Sequence, residues 1–177
     1  MCPGGQAPTA RFRVVVPPDV SHFVVKFQRA ELVFLNYNKK IVAYFLAKTD
    51  PDTYSVDQFE KERKTVWDGV RNPQAVRAIR DMKPGDLVFI YHSGGAAAVV
   101  GMAKVTGEPK PDPKDSKSWM VEMEFRGRLD PPTTLAEIKK SGEFEDWALV
   151  RQSRLSTMQA PQHFVDWMRA RYPDAAL

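Results

Sequence analysis

Three residues of one short run could hold a flat ligand: Trp67, Asp68 and Asn72. An aromatic ring can stack on an indole while a carboxylate or an amide hydrogen-bonds to its edge, as in proteins that bind single-stranded nucleic acid. The full run is Trp-Asp-Gly-Val-Arg-Asn. Spacing alone favours a different interpretation, in which Trp67 belongs to the core and Asn72 only caps a helix.

Two further stretches follow predicted strands. Lys48 and Thr49 emerge from a buried strand and could line the mouth of a pocket, although a strand end and a turn explain them equally well. His92 could donate a proton, bind a metal or contact the edge of a base. Its neighbour Ser93 is a poor partner for catalysis, because adjacent residues of a strand point to opposite faces.

The fourth stretch begins at Arg151 and contains Ser153 and Ser156. Arginine and small hydroxyl side chains suit contacts with phosphate or with a base, and solvated surface charge is the equal alternative. The three histidines and the single cysteine have no metal-site spacing, and neither a P-loop nor a dinucleotide fingerprint is present. We therefore predict no catalytic residue, no metal and no cofactor.

Composition and charge restrict how the chain could work. Of its 177 residues, 43% are hydrophobic and 27% charged, which is ordinary for a folded domain. The net charge of +4 lies within residues 1–40, and the remainder is balanced. A neutral body argues against binding by phosphate neutralisation alone, so that recognition requires a local site. The lack of an apolar run of about 18 residues predicts no membrane span, and the sole Cys2 indicates a reducing, intracellular setting.

The elements that must position these residues are short and well punctuated. Residues 1–41 stand apart, and we predict that they form a disordered extension or a gene-start artefact, with an added hairpin or a targeting peptide as alternatives. A domain over 42–177 mixes strands with short helices, which favours an α+β barrel-like fold. The strands are predicted at 44–48, 65–67, 87–91, 99–105, 119–125 and from 155, and the helices after Ser55, Asn72, Thr134 and Pro161 and over 144–150. Residues 107–117 are predicted to be a polar loop.

Five stretches carry a more specific pattern. They are Tyr44 to Pro51, Trp67 to Ala75, Met82 to Ser93, Val99 to Gly101 and Leu149 to Ser156. Together they resemble the EVE domain, a branch of the PUA-like superfamily, over about residues 43–172. The Trp-Asp-Gly-Val-Arg-Asn run is the most specific part of the match. One departure is that the first strand of the family often ends Lys-Ser-Glu-Pro, whereas this chain has Lys-Thr-Asp-Pro, which could reshape the pocket edge.

The resemblance implies a PUA-like mixed β-barrel with short flanking helices and one concave pocket. The expected ligand is a modified nucleobase, either a modified cytosine in DNA or an RNA base, flipped out of its stack at a cost of a few kcal/mol. Trp67 would then form the stacking wall, and Asn72 and Asp68 would contact the edge of the base. His92 and Ser93 would face it from the neighbouring strand.

The remaining site residues implied by the resemblance surround the pocket. Arg151, Ser153 and Ser156 would contact the backbone or the base, and Lys48 and Thr49 would close the mouth. The expected partner is nucleic acid carrying a modified base, in the cytoplasm of a bacterium or the nucleus of a eukaryote. Two alternatives remain: an amidohydrolase acting on acylated cytidine through Lys48 and Thr49 beside Asp50 or Asp68, and a module that binds a protein or a small metabolite.

Overall fold

Seven strands form one mixed sheet within residues 42–95 and 97–175, which are the residues that the computed structural model describes. The hypotheses about residues 1–41 lie outside this part of the chain. The strands are β1 (Tyr44–Thr49), β2 (Lys64–Val70), β3 (Leu87–His92), β4 (Ala98–Val105), β5 (Lys110–Asp112), β6 (Asp115–Thr134) and β7 (Thr157–Gln159). The helices are α1 (Val56–Glu62), α2 (Pro73–Asp81), α3 (Leu135–Lys140), α4 (Ala148–Arg151) and α5 (Gln162–Arg171).

The sheet has the spatial order β2-β6-β4-β3-β1-β7, and β5 pairs with β6. β1 runs parallel to β3, and the other pairs are antiparallel. The 20-residue β6 changes register against β4 twice, between Val99 and Gly101 and between Met102 and Ala103. Such irregularities bend a strand and increase its twist, so the sheet curls into a half-barrel. The predicted α+β architecture of a curled mixed sheet with short flanking helices is confirmed.

Two predicted helix starts have the expected caps. The side chain of Asn72 accepts hydrogen bonds from the backbone N–H groups of Gln74 and Ala75, at 2.9 and 3.3 Å. Thr134 and Glu137 form a reciprocal capping box at the start of α3. These side chains satisfy donors that the first turn of a helix leaves unpaired, which is why the helices begin where the sequence indicates.

An aromatic cluster under α5 holds the centre of the fold. The ring of Phe164 lies 5.3 Å from that of Phe89, 5.3 Å from that of Phe144 and 4.5 Å from that of Trp147. Phe164 is fully buried, as the four-residue apolar spacing of α5 predicts. Burial of one such side chain stabilises a fold by roughly 1.5–3 kcal/mol, so this cluster anchors the sheet that carries the site.

Three element predictions need correction. Residues 107–117 are not a loop throughout, since β5 and the beginning of β6 lie there and pair with each other. β6 extends far beyond the predicted 119–125, because its paired backbone continues where the alternation of apolar residues stops. The helix predicted over 144–150 is confined to Ala148–Arg151, and Phe144 and Trp147 are instead buried in the aromatic cluster.

Candidate functional site

A cavity of about 440 Å³ lies where the two ends of the curled sheet face each other. One wall is β2, the strand at one end of the sheet. The other wall is the end of β1 together with Ser156, which directly precedes β7 at the opposite end. The lining residues are Lys48, Thr49, Thr53, Tyr54, Thr65, Val66, Trp67, Asp68, Gly69, Val70, Arg71 and Ser156.

Trp67 lies in the wall between the core and this cavity. Its side chain is largely packed, with 8% of the residue exposed, and it pairs with Val121 of β6. Within the described ranges, the buried side-chain nitrogen and oxygen atoms without a partner are Ser118 Oγ and Thr157 Oγ1. The unbonded indole N–H of Trp67 is not among them, so it keeps access to solvent. Trp67 therefore borders the cavity with a side chain that is otherwise packed against the core.

Lys48 ties the opposite wall together. Its Nζ donates to the carbonyl oxygen of Ser153 at 3.3 Å and lies 5.6 Å from the centre of the Tyr91 ring. Its backbone N–H donates to the carbonyl oxygen of Ser156 at 2.7 Å. Partial burial lowers the pKa of the Lys48 ammonium. The cation is thus held beside the mouth by the segment that carries Ser156.

Thr49 and Tyr54 form the third side of the cavity. The Thr49 hydroxyl donates to the carbonyl oxygen of Tyr54 at 2.9 Å, and the Tyr54 hydroxyl donates to Glu62 at 2.8 Å. Burial raises the pKa of Tyr54 to about 12; the hydrogen bond to Thr65 opposes this rise, and the bond to Glu62 adds to it. Tyr54 is therefore a neutral aromatic residue at the cavity. Sequence reasoning missed it, because it follows a turn and belongs to no apolar periodicity.

Asp68 and Arg71 add charge at the rim. Asp68 is exposed, and within residues 42–95 and 97–175 it forms no ion pair. Arg71 donates from Nε to Asp115 at 2.6 Å, and its side chain is 76% exposed. Because the Arg71 side chain is largely exposed, it can reorient from Asp115 toward a ligand.

Three of the predicted site residues bond to the scaffold and lie outside the cavity lining. Asn72 caps α2. His92 Nε2 accepts a hydrogen bond from the backbone N–H of Val56 at 3.0 Å, at the start of α1. Burial is the largest cause that lowers the pKa of His92, with opposing effects from nearby charges. The Ser93 hydroxyl donates to the carbonyl oxygen of Thr49 at 3.1 Å.

In the segment from Arg151 to Ser156 as well, some residues line the cavity and others bond to the scaffold. Arg151 forms an exposed ion pair with Asp146 at 3.2 Å, and Ser153 contributes its carbonyl oxygen to Lys48. Of the ten residues predicted for the site, the cavity brings together Lys48, Thr49, Trp67, Asp68 and Ser156.

A comparison with protein families identifies the fold. The EVE domain family model matches residues 43–171, nearly the whole described part of the chain. The chain belongs to the EVE domain family. The predicted resemblance is thereby confirmed, and the cavity described above is a feature of this EVE domain.

Several relatives resemble this EVE domain. Human thymocyte nuclear protein 1 is 27% identical, over 75% of this chain and 75% of its own length. A solved structure from Rhodopseudomonas palustris is 35% identical with a TM-score of 0.67, covering 71% of this chain and 90% of that one. Another, from Pseudomonas syringae, is 28% identical with a TM-score of 0.68, covering 73% and 99%.

Two more distant structures share the fold alone. The human THYN1 protein in complex with DNA containing 5-methylcytosine is 24% identical, with a TM-score of 0.67 over 73% of this chain and 96% of that one. A mutant ASCH protein from Zymomonas mobilis is 11% identical, with a TM-score of 0.52 over 72% and 97%.

A second cavity of about 350 Å³ lies elsewhere in the EVE domain, between α2 and the strands β1 and β7. Its aromatic residue, Phe45, is 2% exposed, and its charged residues Arg77 and Asp81 lie on the exposed side of α2. Phe45 is thus more deeply buried than Trp67 at 8%, and the Trp67 cavity, which more polar side chains line, is the better candidate site.

The described residues contain neither a cluster suited to a metal ion nor a membrane-spanning helix. No group of three or more His, Cys, Asp or Glu side chains in 42–95 and 97–175 is arranged to hold a metal ion. In that same part of the EVE domain, no helix is long and apolar enough to cross a membrane.

Proposed function

We propose that this EVE domain binds a modified nucleobase in the Trp67 cavity without transforming it, and that 5-methylcytosine in DNA is the first ligand to test. The human THYN1 protein, with the same fold, was crystallised with DNA containing 5-methylcytosine. Human thymocyte nuclear protein 1 is also a relative in sequence. We also propose that the protein is intracellular. If it is eukaryotic, we expect it in the nucleus, because its relative thymocyte nuclear protein 1 is named as a nuclear protein.

The observation that carries the proposal is a cavity with an indole in its wall and polar groups around it. Its volume of about 440 Å³ lies within the roughly 300–1,000 Å³ of ligand pockets and accommodates one flat heterocycle. Stacking of a base on an aromatic side chain is worth about 1–3 kcal/mol, comparable with the few kcal/mol that flipping costs. Contacts from Asp68, Thr49 and Ser156 would supply the remainder.

The charge distribution supports a local site rather than a broad basic surface. Residues 41–177 have equal numbers of acidic and basic side chains. A neutral domain gains little from releasing the counterions of nucleic acid, so most of its affinity must come from the base in the cavity. We therefore expect binding that depends on the modification and only weakly on salt.

The amidohydrolase alternative gains no support from the polar contacts. Hydrolysis through Lys48 and Thr49 would require the amine to accept the proton of the hydroxyl. Instead, Thr49 donates to the Tyr54 carbonyl oxygen, and Lys48 donates to the Ser153 carbonyl oxygen. Incubation with N4-acetylcytidine distinguishes the two activities, since turnover that is lost in Lys48→Ala would establish the enzyme.

Fluorescence anisotropy with matched single-stranded oligonucleotides tests the binding function. The set differs at one position, which is cytosine or 5-methylcytosine, in DNA and in RNA. The proposal predicts saturable binding that is tighter for the modified base. Equal affinity for modified and plain oligonucleotides, or no binding to any of them, would contradict it.

A further inference from the structure

One edge of the candidate cavity is made of backbone rather than side chains. β2 is the last strand at its end of the sheet and pairs only with β6 among the described strands. A terminal strand leaves every second residue with its N–H and C=O groups directed away from the sheet. Which residues those are follows from the hydrogen bonds on both sides of β6.

Two backbone bonds fix the alternation. Phe125 donates to the carbonyl oxygen of Arg63 at 2.8 Å, so odd-numbered residues of β6 bond toward β2. The carbonyl oxygen of Glu122 accepts from Thr106 at 2.9 Å, so even-numbered residues of β6 bond away from β2. The register is uninterrupted from Lys64 opposite Glu124 to Trp67 opposite Val121.

The alternation leaves the peptide groups of Lys64 and Val66 without partners in β6, because their opposite residues bond to the other neighbour. The two positions differ in their surroundings. Val66 lines the cavity next to Trp67, whereas Lys64 does not line it. Val66 is also 46% exposed, a high value for a large apolar residue of a strand.

We infer that the backbone N–H and C=O of Val66 bind the Watson–Crick edge of the base that enters the cavity. In an extended strand, the N–H and C=O groups of one residue point to the same side, as an adjacent donor and acceptor. Cytosine offers the complementary pair, an acceptor at N3 and a donor at N4. This inference rests on the proposed function and specifies how the ligand is read.

The chemistry explains why a modification at C5 is compatible with the site. The backbone groups of Val66 bond to N3 and N4 of the cytosine. A methyl group at C5 is not part of this pair of atoms and remains available to contact the cavity wall. Substituents on N4 behave differently, because two methyl groups there remove the donor. Specificity for the edge thus comes from backbone geometry, which side-chain changes in β2 leave intact.

The test replaces the donor with proline, which has no N–H and is tolerated in terminal strands when its nitrogen faces away from the sheet. Val66→Pro is compared with Lys64→Pro, which removes the other outward N–H of β2, and with Val66→Ala, which keeps the donor. Affinity for a 5-methylcytosine oligonucleotide should fall by at least about tenfold in Val66→Pro only, the loss expected for one buried hydrogen bond. Thermal unfolding of each variant checks that the fold is retained.

A second arm keeps the protein unchanged, so it remains informative if Val66→Pro does not fold. The wild-type chain is titrated with oligonucleotides containing 5-methylcytosine or N4,N4-dimethylcytosine. The inference predicts that the affinity for the dimethylated base is lower by about tenfold or more. Equal binding of both bases, or of Val66→Pro and Lys64→Pro, overturns the backbone contact but leaves the proposed function standing. Absence of binding by the wild-type chain overturns both.

Discussion

The two ends of the Trp-Asp-Gly-Val-Arg-Asn run have different surroundings. Trp67, at the first position, borders the cavity with an unbonded indole N–H. Asn72, at the last position, uses its side-chain oxygen to cap α2 and lies outside the cavity lining. Residues five positions apart in one motif thus differ in whether the scaffold has already used their polar groups. Side-chain type indicates what a residue can bond, and its existing partners determine what remains for a ligand.

The largest effect is expected at Trp67. Trp67→Ala should weaken binding of a 5-methylcytosine oligonucleotide by about 1–3 kcal/mol, because it removes the stacking surface. The same change should lower the free energy of unfolding by up to about 3–5 kcal/mol, since the residue is largely packed. Anisotropy titrations at a temperature where circular dichroism shows a folded protein measure the binding effect.

Two matched variants make this prediction sharper. Trp67→Phe keeps an aromatic wall and should retain part of the affinity. Trp167→Ala removes another partly buried indole, one that contacts Phe144 and Phe164 and lies outside the cavity. If Trp167→Ala weakens binding as much as Trp67→Ala does, the effect is one of general stability and the stacking wall is wrongly assigned.

Asn72→Ala, in contrast, should lower stability while leaving the binding affinity almost unchanged. Loss of the cap of α2 should lower the free energy of unfolding by about 1 kcal/mol, within a range of roughly 0.5–2 kcal/mol. Affinity should change by less than about twofold, or about 0.4 kcal/mol, because the oxygen is engaged with Gln74 and Ala75. Urea unfolding and anisotropy on the same sample separate the two quantities. A large loss of affinity at unchanged stability would return Asn72 to the base-contacting set.

His92 should make stability depend on pH. Its pKa is lowered in the folded protein, mainly by burial, and its neutral form accepts the bond from Val56. The unfolded chain therefore binds a proton more readily, so stability is full above the ordinary pKa near 6.5 and declines as pH falls below it. Unfolding midpoints from pH 8 to pH 5 should show this decline. His92→Gln, which retains an acceptor but does not titrate, should flatten it, and an unchanged profile would contradict the assignment.

Arg151 should have the smallest effect on stability. Its ion pair with Asp146 is exposed, so Arg151→Gln should change the free energy of unfolding by less than about 0.5 kcal/mol. If Arg151 contacts phosphate, as the sequence predicts, affinity should fall a few-fold at low salt and the difference should vanish at high salt. A loss that is independent of salt would instead place Arg151 in contact with the base.

Much of the fold could be predicted from local chemistry. Asn72 followed by Pro73 fixes the start of α2, and the Thr134–Glu137 pair fixes α3, because caps depend only on neighbouring residues. The length of β6 could not be predicted. Pairing with β2, β4 and β5 holds it extended through segments with no periodic pattern.

The candidate site was only partly predictable, for a related reason. Trp67 and Lys48 stood out as an aromatic residue beside a glycine and a cation at a strand end. Tyr54 and the backbone of Val66 carried no signal, since one follows a turn and the other acts without its side chain. Their importance depends on the curling of the sheet, which brings β2 opposite the end of β1.

Nuclear magnetic resonance mapping of a bound oligonucleotide tests the central assignment most directly. On addition of single-stranded DNA with one 5-methylcytosine, the amide signals of residues 65–71, of Lys48 and Thr49, and the indole N–H of Trp67 should shift together. The signals of Gln74, Arg77 and Met158 at the second cavity should stay in place. Shifts confined to that second cavity, with the indole signal of Trp67 unmoved, would contradict the assignment of the site.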